Sequence, residues 1–147
     1  MTVICYRNVG ECCAIISPVS ASCHRKYTMK NWRVLLVDDE VEFRSTLAER
    51  LRRRGIAVNE AGSGEEAFRI IEAFAPKVIV LDVLMPGIGG LQVLKRVKAD
   101  HPNIQVILLT GLGTTEEGRE LGAFDYLIKP IHIEKLIEKI GEALDHN

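Results

Sequence analysis

Cysteine is absent from most of this sequence. All four cysteines, Cys5, Cys12, Cys13 and Cys23, lie in the first 28 residues of the 147-residue chain. A disulfide framework is therefore excluded for everything that follows. The spacing of the four cysteines matches none of the usual zinc-binding patterns, so we do not expect a metal site among them.

Long apolar runs and strong net charge are also missing. No run approaches the roughly 20 apolar residues that span a bilayer, and no basic segment followed by an apolar core opens the chain as in a signal peptide. The net charge of −1 gives no electrostatic reason to expect a nucleic acid or a membrane surface as partner. We expect a cytoplasmic globular protein.

The first 30 residues differ from the rest of the chain. Residues 1–28 carry Arg7, Arg25 and Lys26 against Glu11, whereas the remaining residues are net acidic. Met29 stands shortly before the first strand-like run, where a compact domain could begin. We expect residues 1–30 to be an extension that is disordered or results from a mis-assigned start, and residues 31–147 to form one domain.

Four short apolar runs each lead to polar side chains. The runs are residues 34–37, 78–81, 106–109 and 126–128, and the residues that follow them are Asp38 with Asp39, Asp82, Thr110 and Lys129. Runs of this kind are typical of buried strands. Because open α/β sheets bind ligands at the carboxyl ends of their strands, we expect these side chains to converge at one sheet edge.

Segments with helical periodicity separate the apolar runs, which favours βαβ units and a parallel sheet. A partly polar run at 57–61 predicts a strand near the edge of that sheet. Ser63 and Glu66 have the spacing of a capping box, as do Thr114 and Glu117. The sequence therefore predicts five strands and five helices, the last with an apolar stripe formed by Leu136, Ile137, Ile140, Ala143 and Leu144.

Three carboxylates in one small volume repel one another, so such a site requires a cation or shifted pKa values. Mg²⁺ suits it, because this ion binds carboxylates together with water and phosphate oxygens. A carboxylate held in this way can attack phosphorus and form an aspartyl phosphate. Taken singly, an aspartate after a strand can be a turn residue and an acidic run can be a solvated helix start. The joint occurrence of all these residues at strand ends favours a site for phosphoryl transfer.

These residues belong to motifs that resemble the receiver domain of two-component response regulators. The resemblance covers residues 33–144, and its motifs are Leu-Val-Asp-Asp-Glu at 36–40, Asp82-x-x-Met-Pro-x-x-x-Gly90, Leu-Thr-Gly at 109–111 and Gly-Ala-x-Asp-Tyr-Leu-x-Lys-Pro at 122–130. It implies a flavodoxin-like (βα)₅ three-layer sandwich with a parallel sheet of order 2-1-3-4-5.

The resemblance also implies roles for individual residues. Asp82 would be the phosphoacceptor, Asp39 a direct Mg²⁺ ligand and Asp38 a ligand through water, and Leu84 would offer its backbone carbonyl to the ion. Thr110 and Tyr126 would form a switch pair and Lys129 would stabilise the phosphoryl group, with a cis peptide bond at Pro130. Kinase docking would use the first helix around Phe43 and Arg44.

The sequence departs from the family pattern in ways that bear on signalling. Thr110 and Lys129 are 19 positions apart, about three fewer than the resemblance implies, so the fourth helix should lose nearly a turn. Leu84 and Leu112 stand where receivers often carry polar groups near the attacking water, which predicts slow self-dephosphorylation. No output domain is expected after residue 144.

Three functions follow as hypotheses. The first is a stand-alone receiver that takes a phosphoryl group from a histidine kinase or phosphotransfer protein and switches binding of a downstream protein effector, with a homodimer possible. The second is a phosphorylation-independent interaction module with the same fold, favoured only by the short fourth helix. The third is an aspartyl-phosphate phosphatase, which lacks its usual second acid because that position is Leu84.

Overall fold

A computed structural model describes residues 31–111 and 116–146. Within these residues five parallel strands form one sheet of order β2-β1-β3-β4-β5, as predicted. The strands are β1 (Arg33–Val37), β2 (Ala57–Ala61), β3 (Val78–Asp82), β4 (Gln105–Thr110) and β5 (Asp125–Ile128), and the helices are α1 (Val41–Arg52), α2 (Gly64–Phe74), α3 (Gly90–Asp100), α4 (Glu116–Glu120) and α5 (Ile133–Asp145). The predictions for residues 1–30 lie outside the described residues.

The sheet is covered on both faces, which gives the three-layer sandwich. Successive strand side chains point to opposite faces, so the central strands contribute to two separate apolar clusters. One cluster joins the sheet to Leu51 of α1 and Leu136 of α5, and the other joins it to Ile71 of α2 and Leu94 of α3. Because β3 is buried throughout its length, its sequence is continuously apolar up to its final carboxylate.

The polar strand and the amphipathic last helix lie where the sequence predicts them. β2 is an edge strand, and its Asn59 and Glu60 are only partly buried. In α5, Leu136, Ile140 and Ala143 are buried, while Ile137 and Leu144 pack partly against the same cluster. The predicted stripe is therefore the face that α5 turns to the sheet.

The start of α2 shows a modified capping box. The Ser63 Oγ accepts a hydrogen bond from the Glu66 backbone N–H at 3.2 Å. The Glu66 carboxylate bonds the backbone N–H of Gly62 at 2.7 Å, one residue before the position expected for a standard box. The other candidate box falls partly on Thr114, which lies outside the described residues.

Strand register brings the polar ends of the strands together. Val37 of β1 pairs with Leu81 of β3, so Asp38 and Asp82 follow at neighbouring positions. Asp82 in turn pairs with Leu109 of β4, and Thr110 pairs with Ile128 of β5. The carboxyl edge of the sheet therefore collects side chains from four adjacent strands. Within the described residues, no helix has the length and apolar character required to cross a bilayer.

Candidate functional site

Two of the three predicted carboxylates are buried at the carboxyl edge of the sheet. Asp38 is 2% exposed and Asp82 is 5% exposed, whereas Asp39 faces solvent. One carboxylate oxygen from each of the three lies within 4.8 Å of the others. The convergence expected from the strand ends is therefore present in the structure.

Lys129 supplies positive charge to this cluster. Its Nζ lies 2.7 Å from Asp38 Oδ2, 3.4 Å from Asp82 Oδ2 and 3.5 Å from Glu40 Oε1. Its backbone N–H donates to the Thr110 carbonyl at 2.9 Å, which fixes the residue at the end of β5. The following Lys129–Pro130 peptide bond is cis, the conformation that the family resemblance implies.

Backbone N–H groups bind the other oxygens of the two buried acids. The Glu40 N–H donates to Asp38 Oδ1 at 2.8 Å, and the Leu84 N–H donates to Asp82 Oδ1 at 3.2 Å. Each carboxylate is therefore held on one side by its own loop and on the other by the Lys129 ammonium. Both groups are oriented before any ligand binds.

Burial and neighbouring charges shift the pKa values of Asp82 and Lys129. Burial raises the pKa of Asp82 above its ordinary value, and the charge of Asp38 raises it further, although the Leu84 N–H and Lys129 act in the opposite direction. Burial alone would lower the pKa of Lys129. The hydrogen bond from Lys129 to Asp38 and the charges of Asp38, Asp82 and Glu40 outweigh that effect and raise the pKa of the ammonium.

The donor set fits a hard divalent cation. The candidate ligands are carboxylate oxygens from Asp38, Asp39 and Asp82, which is the ligand type that Mg²⁺ prefers. Three carboxylates against one ammonium leave an excess of negative charge. The exposed Asp39 leaves the site open to solvent, as required by an ion that retains several of its waters.

Gly90 allows the loop after β3 to close against Asp82. A Cβ at Gly90 would lie 2.1 Å from the Asp82 backbone oxygen and 2.7 Å from the Val83 Cα. The Gly90 N–H also donates to the Val83 carbonyl at 3.1 Å. Because the obstructing atoms belong to the backbone, the start of α3 can approach Asp82 this closely only with glycine at position 90.

Thr110 and Tyr126 lie on neighbouring strands beside the cluster. Thr110 is buried at the end of β4, and Tyr126 is half-buried and packs against the α2–α3 side of the core. The Arg119 guanidinium of α4 lies over the Tyr126 ring at 4.9 Å from its centre. The ring therefore contacts both the apolar core and a cation from α4.

Leu84 covers little of the surrounding surface. Its side chain is 65% exposed although its N–H bonds Asp82. Most of Leu84 is therefore available to solvent beside Asp82 and does not cover the apolar core. Leu112, the other apolar residue expected near the attacking water, lies outside the described residues.

A family model for the response regulator receiver domain matches residues 34–141. The chain belongs to this family. Receiver domains are signalling modules of two-component systems. The described part of α4 is Glu116–Glu120. Because residues 112–115 lie outside the described residues, the shortening expected from the sequence stays a prediction.

Among curated relatives, the receiver domain is 33% identical over 119 residues to sporulation initiation phosphotransferase F of Bacillus subtilis, covering 79% of this chain and 96% of that protein. It is 37% identical over 115 residues to the probable transcriptional regulator ycf27 of Guillardia theta, covering 76% of this chain. The match spans 45% of that regulator's length.

Solved structures give the same fold. The receiver domain of the Francisella response regulator 1452 has a TM-score of 0.73 and 33% identity, with 79% of this chain and 98% of that chain covered. The chemotaxis protein CheY4 of Vibrio cholerae has a TM-score of 0.72 and 29% identity, with 76% and 98% covered.

Sequence patterns did not reveal every residue of the site. The family resemblance implies a docking role for Phe43, yet this residue is half-buried against the core and its ring centre lies 4.5 Å from the Lys129 Nζ. Glu40 belongs to a sequence motif, and in the structure its carboxylate also reaches the same ammonium. Both contacts join residues about 90 positions apart, a distance at which local periodicity gives no signal.

Proposed function

We propose that this receiver domain accepts a phosphoryl group on Asp82 in an Mg²⁺-dependent reaction and thereby changes its affinity for a partner. The donor is the phosphohistidine of a histidine kinase or of a phosphotransfer protein. One observation carries the proposal: the buried Asp82 carboxylate lies within 3.4 Å of an ammonium and beside two further carboxylates. The phosphotransferase name of the Bacillus subtilis relative supports a transfer role.

The transfer requires little beyond positioning. A carboxylate oxygen of Asp82 attacks phosphorus, the new P–O bond forms, and the P–N bond to the donor imidazole breaks with its electron pair returning to the nitrogen. Because the Leu84 N–H binds Asp82 Oδ1, the carboxylate is already oriented for the attack. Its nucleophilic form is the ionised one, which requires a compensating cation at this buried position.

Asp38, Asp39, Asp82 and the Leu84 backbone carbonyl are the proposed ligands for Mg²⁺. When bound, the ion neutralises negative charge on the acids and on the phosphoryl oxygens. Lys129 adds a second positive charge and, once Asp82 is modified, can exchange part of its contact with the carboxylates for the new oxygens. Thr110 at the neighbouring strand end offers a hydroxyl as donor to the same oxygens.

The proposed switch comprises Thr110, Tyr126 and the face formed by α4, β5 and α5. Modification of Asp82 adds negative charge and strong acceptor oxygens beside Lys129, which favours a state in which Thr110 moves toward the phosphoryl group and Tyr126 turns inward. A downstream protein effector then binds one of the two states more tightly. The size of the shift is limited by the effector's differential affinity.

Intact-mass measurement after incubation with acetyl phosphate and Mg²⁺ tests the proposal. The wild-type protein should gain the mass of one phosphoryl group, and the gain should be lost with EDTA and in Asp82→Ala. Asp100→Ala, which removes an exposed carboxylate of α3, is the matched control and should be modified like wild type. Undiminished modification of Asp82→Ala would rule out Asp82 as the acceptor.

The short spacing of 19 positions between Thr110 and Lys129 favours one alternative, a constitutive interaction module that uses the receiver fold without phosphorylation. A fourth helix shortened by nearly a turn would offer less surface for a two-state signal on the α4 side. An effector that binds Asp82→Ala and phosphorylated wild type equally well would support this alternative. A phosphatase is disfavoured because the second position after Asp82 is the apolar Leu84 and provides no general acid.

A further inference from the structure

Arg44 of α1 binds the backbone of the acidic cluster at Asp38 without an ion pair to any of the three carboxylates. Its side chain is 14% exposed. The Nη1 donates to the backbone carbonyl of Asp38 at 2.5 Å, and the Nε donates to Glu60 Oε2 at 3.4 Å. A buried guanidinium with two such partners is fixed in position because its planar donor groups have set directions.

The carbonyl that Arg44 binds belongs to the peptide that joins Asp38 to Asp39. The other polar groups of Asp38 are also held: its N–H donates to the Ala61 carbonyl at 3.1 Å, and its carboxylate binds Glu40 and Lys129. In contrast, the Asp39 side chain is exposed and has no hydrogen bond or ion pair within residues 31–111 and 116–146. Because no side-chain partner within these ranges holds Asp39, only its backbone places it, and the orientation of this peptide sets which positions its carboxylate can reach.

Space for the guanidinium is provided by Gly62, at the end of β2. A Cβ at position 62 would lie 3.0 Å from the Arg44 Nη1, closer than such contacts usually are, so the guanidinium would have to shift by a few tenths of an ångström to admit a side chain there. Glu60 on the same strand also binds Arg52, whose Nη1 lies 2.9 Å from Glu60 Oε1. Arg44 is thus supported by the Glu60 carboxylate of β2 and by the space that Gly62 leaves directly after this strand.

We propose that Arg44 is a positioning residue for divalent-cation binding, acting by fixing the Asp38–Asp39 peptide so that the Asp39 carboxylate faces the ion. The inference rests on the proposed function and adds to it a residue that is not itself a ligand. Groups that orient metal ligands typically affect affinity by about 10- to 100-fold when they are replaced. The positive charge of Arg44 would by itself repel a cation, so its effect must come from geometry.

Arg44→Lys separates the effect of the positive charge from the effect of the guanidinium geometry. Lysine retains the charge but lacks the fork that binds the Asp38 carbonyl and Glu60 together. We expect Mg²⁺, titrated calorimetrically, to bind this variant about 10-fold more weakly than wild type. A role in stability alone would lower the free energy of unfolding in EDTA and leave the Mg²⁺ dissociation constant unchanged.

Arg52→Lys is the matched control. Arg52 also binds Glu60, and it donates to a backbone carbonyl, that of Val58, at 2.9 Å. Because its replacement also removes contacts with β2, we expect a similar loss of stability. Arg52 does not contact Asp38, so Mg²⁺ affinity should stay at the wild-type value. Equal loss of affinity in both lysine variants, or wild-type affinity in Arg44→Lys, would overturn the proposal.

Gly62→Ala provides an independent test and decides the matter if Arg44→Lys fails to fold. This variant changes no charge, and its added Cβ shifts the Arg44 guanidinium from the side of Gly62. We therefore expect it to weaken Mg²⁺ binding as well. Unchanged affinity in folded Gly62→Ala would contradict a positioning role for Arg44. Wild-type protein that binds no Mg²⁺ would overturn the proposed function itself. Wild type that binds Mg²⁺ and accepts phosphate, together with unaltered affinity in folded variants, would overturn only the role of Arg44.

Discussion

The Lys129 ammonium lies between two buried carboxylates, 2.7 Å from that of Asp38 and 3.4 Å from that of Asp82. It contributes the positive charge nearest to both groups among the described residues. Its ring contact with Phe43 and its backbone bond to Thr110 limit where the charge can move. We therefore expect stability and cation binding to be coupled through this side chain.

Replacing this charge should destabilise the protein until a divalent cation is supplied. We expect Lys129→Met to lower the free energy of unfolding in EDTA by roughly 2–4 kcal/mol, because the Asp38 carboxylate is left buried without its ion-pair partner. Saturating Mg²⁺ should restore most of the loss. Urea unfolding with and without Mg²⁺ measures both effects, and Lys135→Met on the exposed surface of α5 should change stability by no more than about 0.5 kcal/mol.

Gly90 and Gly89 should respond differently to replacement by alanine. We expect Gly90→Ala to cost about 2–3 kcal/mol of stability and to slow phosphoryl uptake, since the added Cβ meets the backbone of Asp82 and Val83. A Cβ at Gly89 meets no atom within 4 Å, so Gly89→Ala should be close to wild type in both urea unfolding and intact-mass assays. Similar behaviour of the two variants would contradict the close approach described here.

Asp125 should make a pH-dependent contribution to stability. Burial opposes ionisation of this carboxyl, but hydrogen bonds from Lys139 and from the Tyr126 N–H outweigh it and lower the pKa below the ordinary value of 3.8. Since the folded state binds the proton less tightly, the contribution is complete above pH 3.8 and disappears as the pH falls through the lowered value.

Asp125→Asn should therefore be about 0.5–1 kcal/mol less stable than wild type near neutral pH and equal to it in strong acid. Urea unfolding at a series of pH values measures the difference. Asp100→Asn provides the comparison, because the Asp100–Arg96 pair is more than half exposed on both sides and should contribute less. A difference for Asp125→Asn that stays constant down to the lowest pH would contradict the ion-pair explanation.

Leu84 should prolong the phosphorylated state. An exposed apolar side chain next to Asp82 cannot hydrogen-bond the water that would hydrolyse the aspartyl phosphate, so we expect slow loss of the group and faster loss in Leu84→Asn. The decay of the intact-mass signal after removal of acetyl phosphate measures both rates. Ile128→Asn replaces another exposed apolar residue at the β5–α5 surface and should leave the decay unchanged. A wild-type phospho-form that lasts only seconds would contradict the expectation.

The sequence predicted the sheet well because the relevant signals are local. Continuous apolar runs predicted buried strands, and the polarity of residues 57–61 predicted an edge strand, as found for β2. The carboxylate cluster was predictable because parallel strands end at one edge and each run ends in a polar residue.

Contacts across the fold could not be predicted in the same way. The stacking of Lys129 on Phe43 and the bond from Arg44 to the Asp38 carbonyl depend on how α1 is rotated against the sheet. Hydrophobic periodicity fixes which face of a helix is buried, but it does not fix the partners of its polar residues. The capping box at the start of α2 is a further example. Its spacing predicted Glu66, but not that the Glu66 carboxylate would bind the N–H of Gly62 and not that of Ser63.

The Arg119–Tyr126 stack has a consequence for the resting level of signalling. A cation–π contact at an exposed site is worth about 0.5–1 kcal/mol, and this one would have to break when the ring turns inward in the proposed switch. So small an energy lets unmodified molecules visit the inward arrangement without any stimulus. Background output in an unstimulated cell would then be set by Arg119 of α4, a residue that forms no ion pair with the carboxylate cluster.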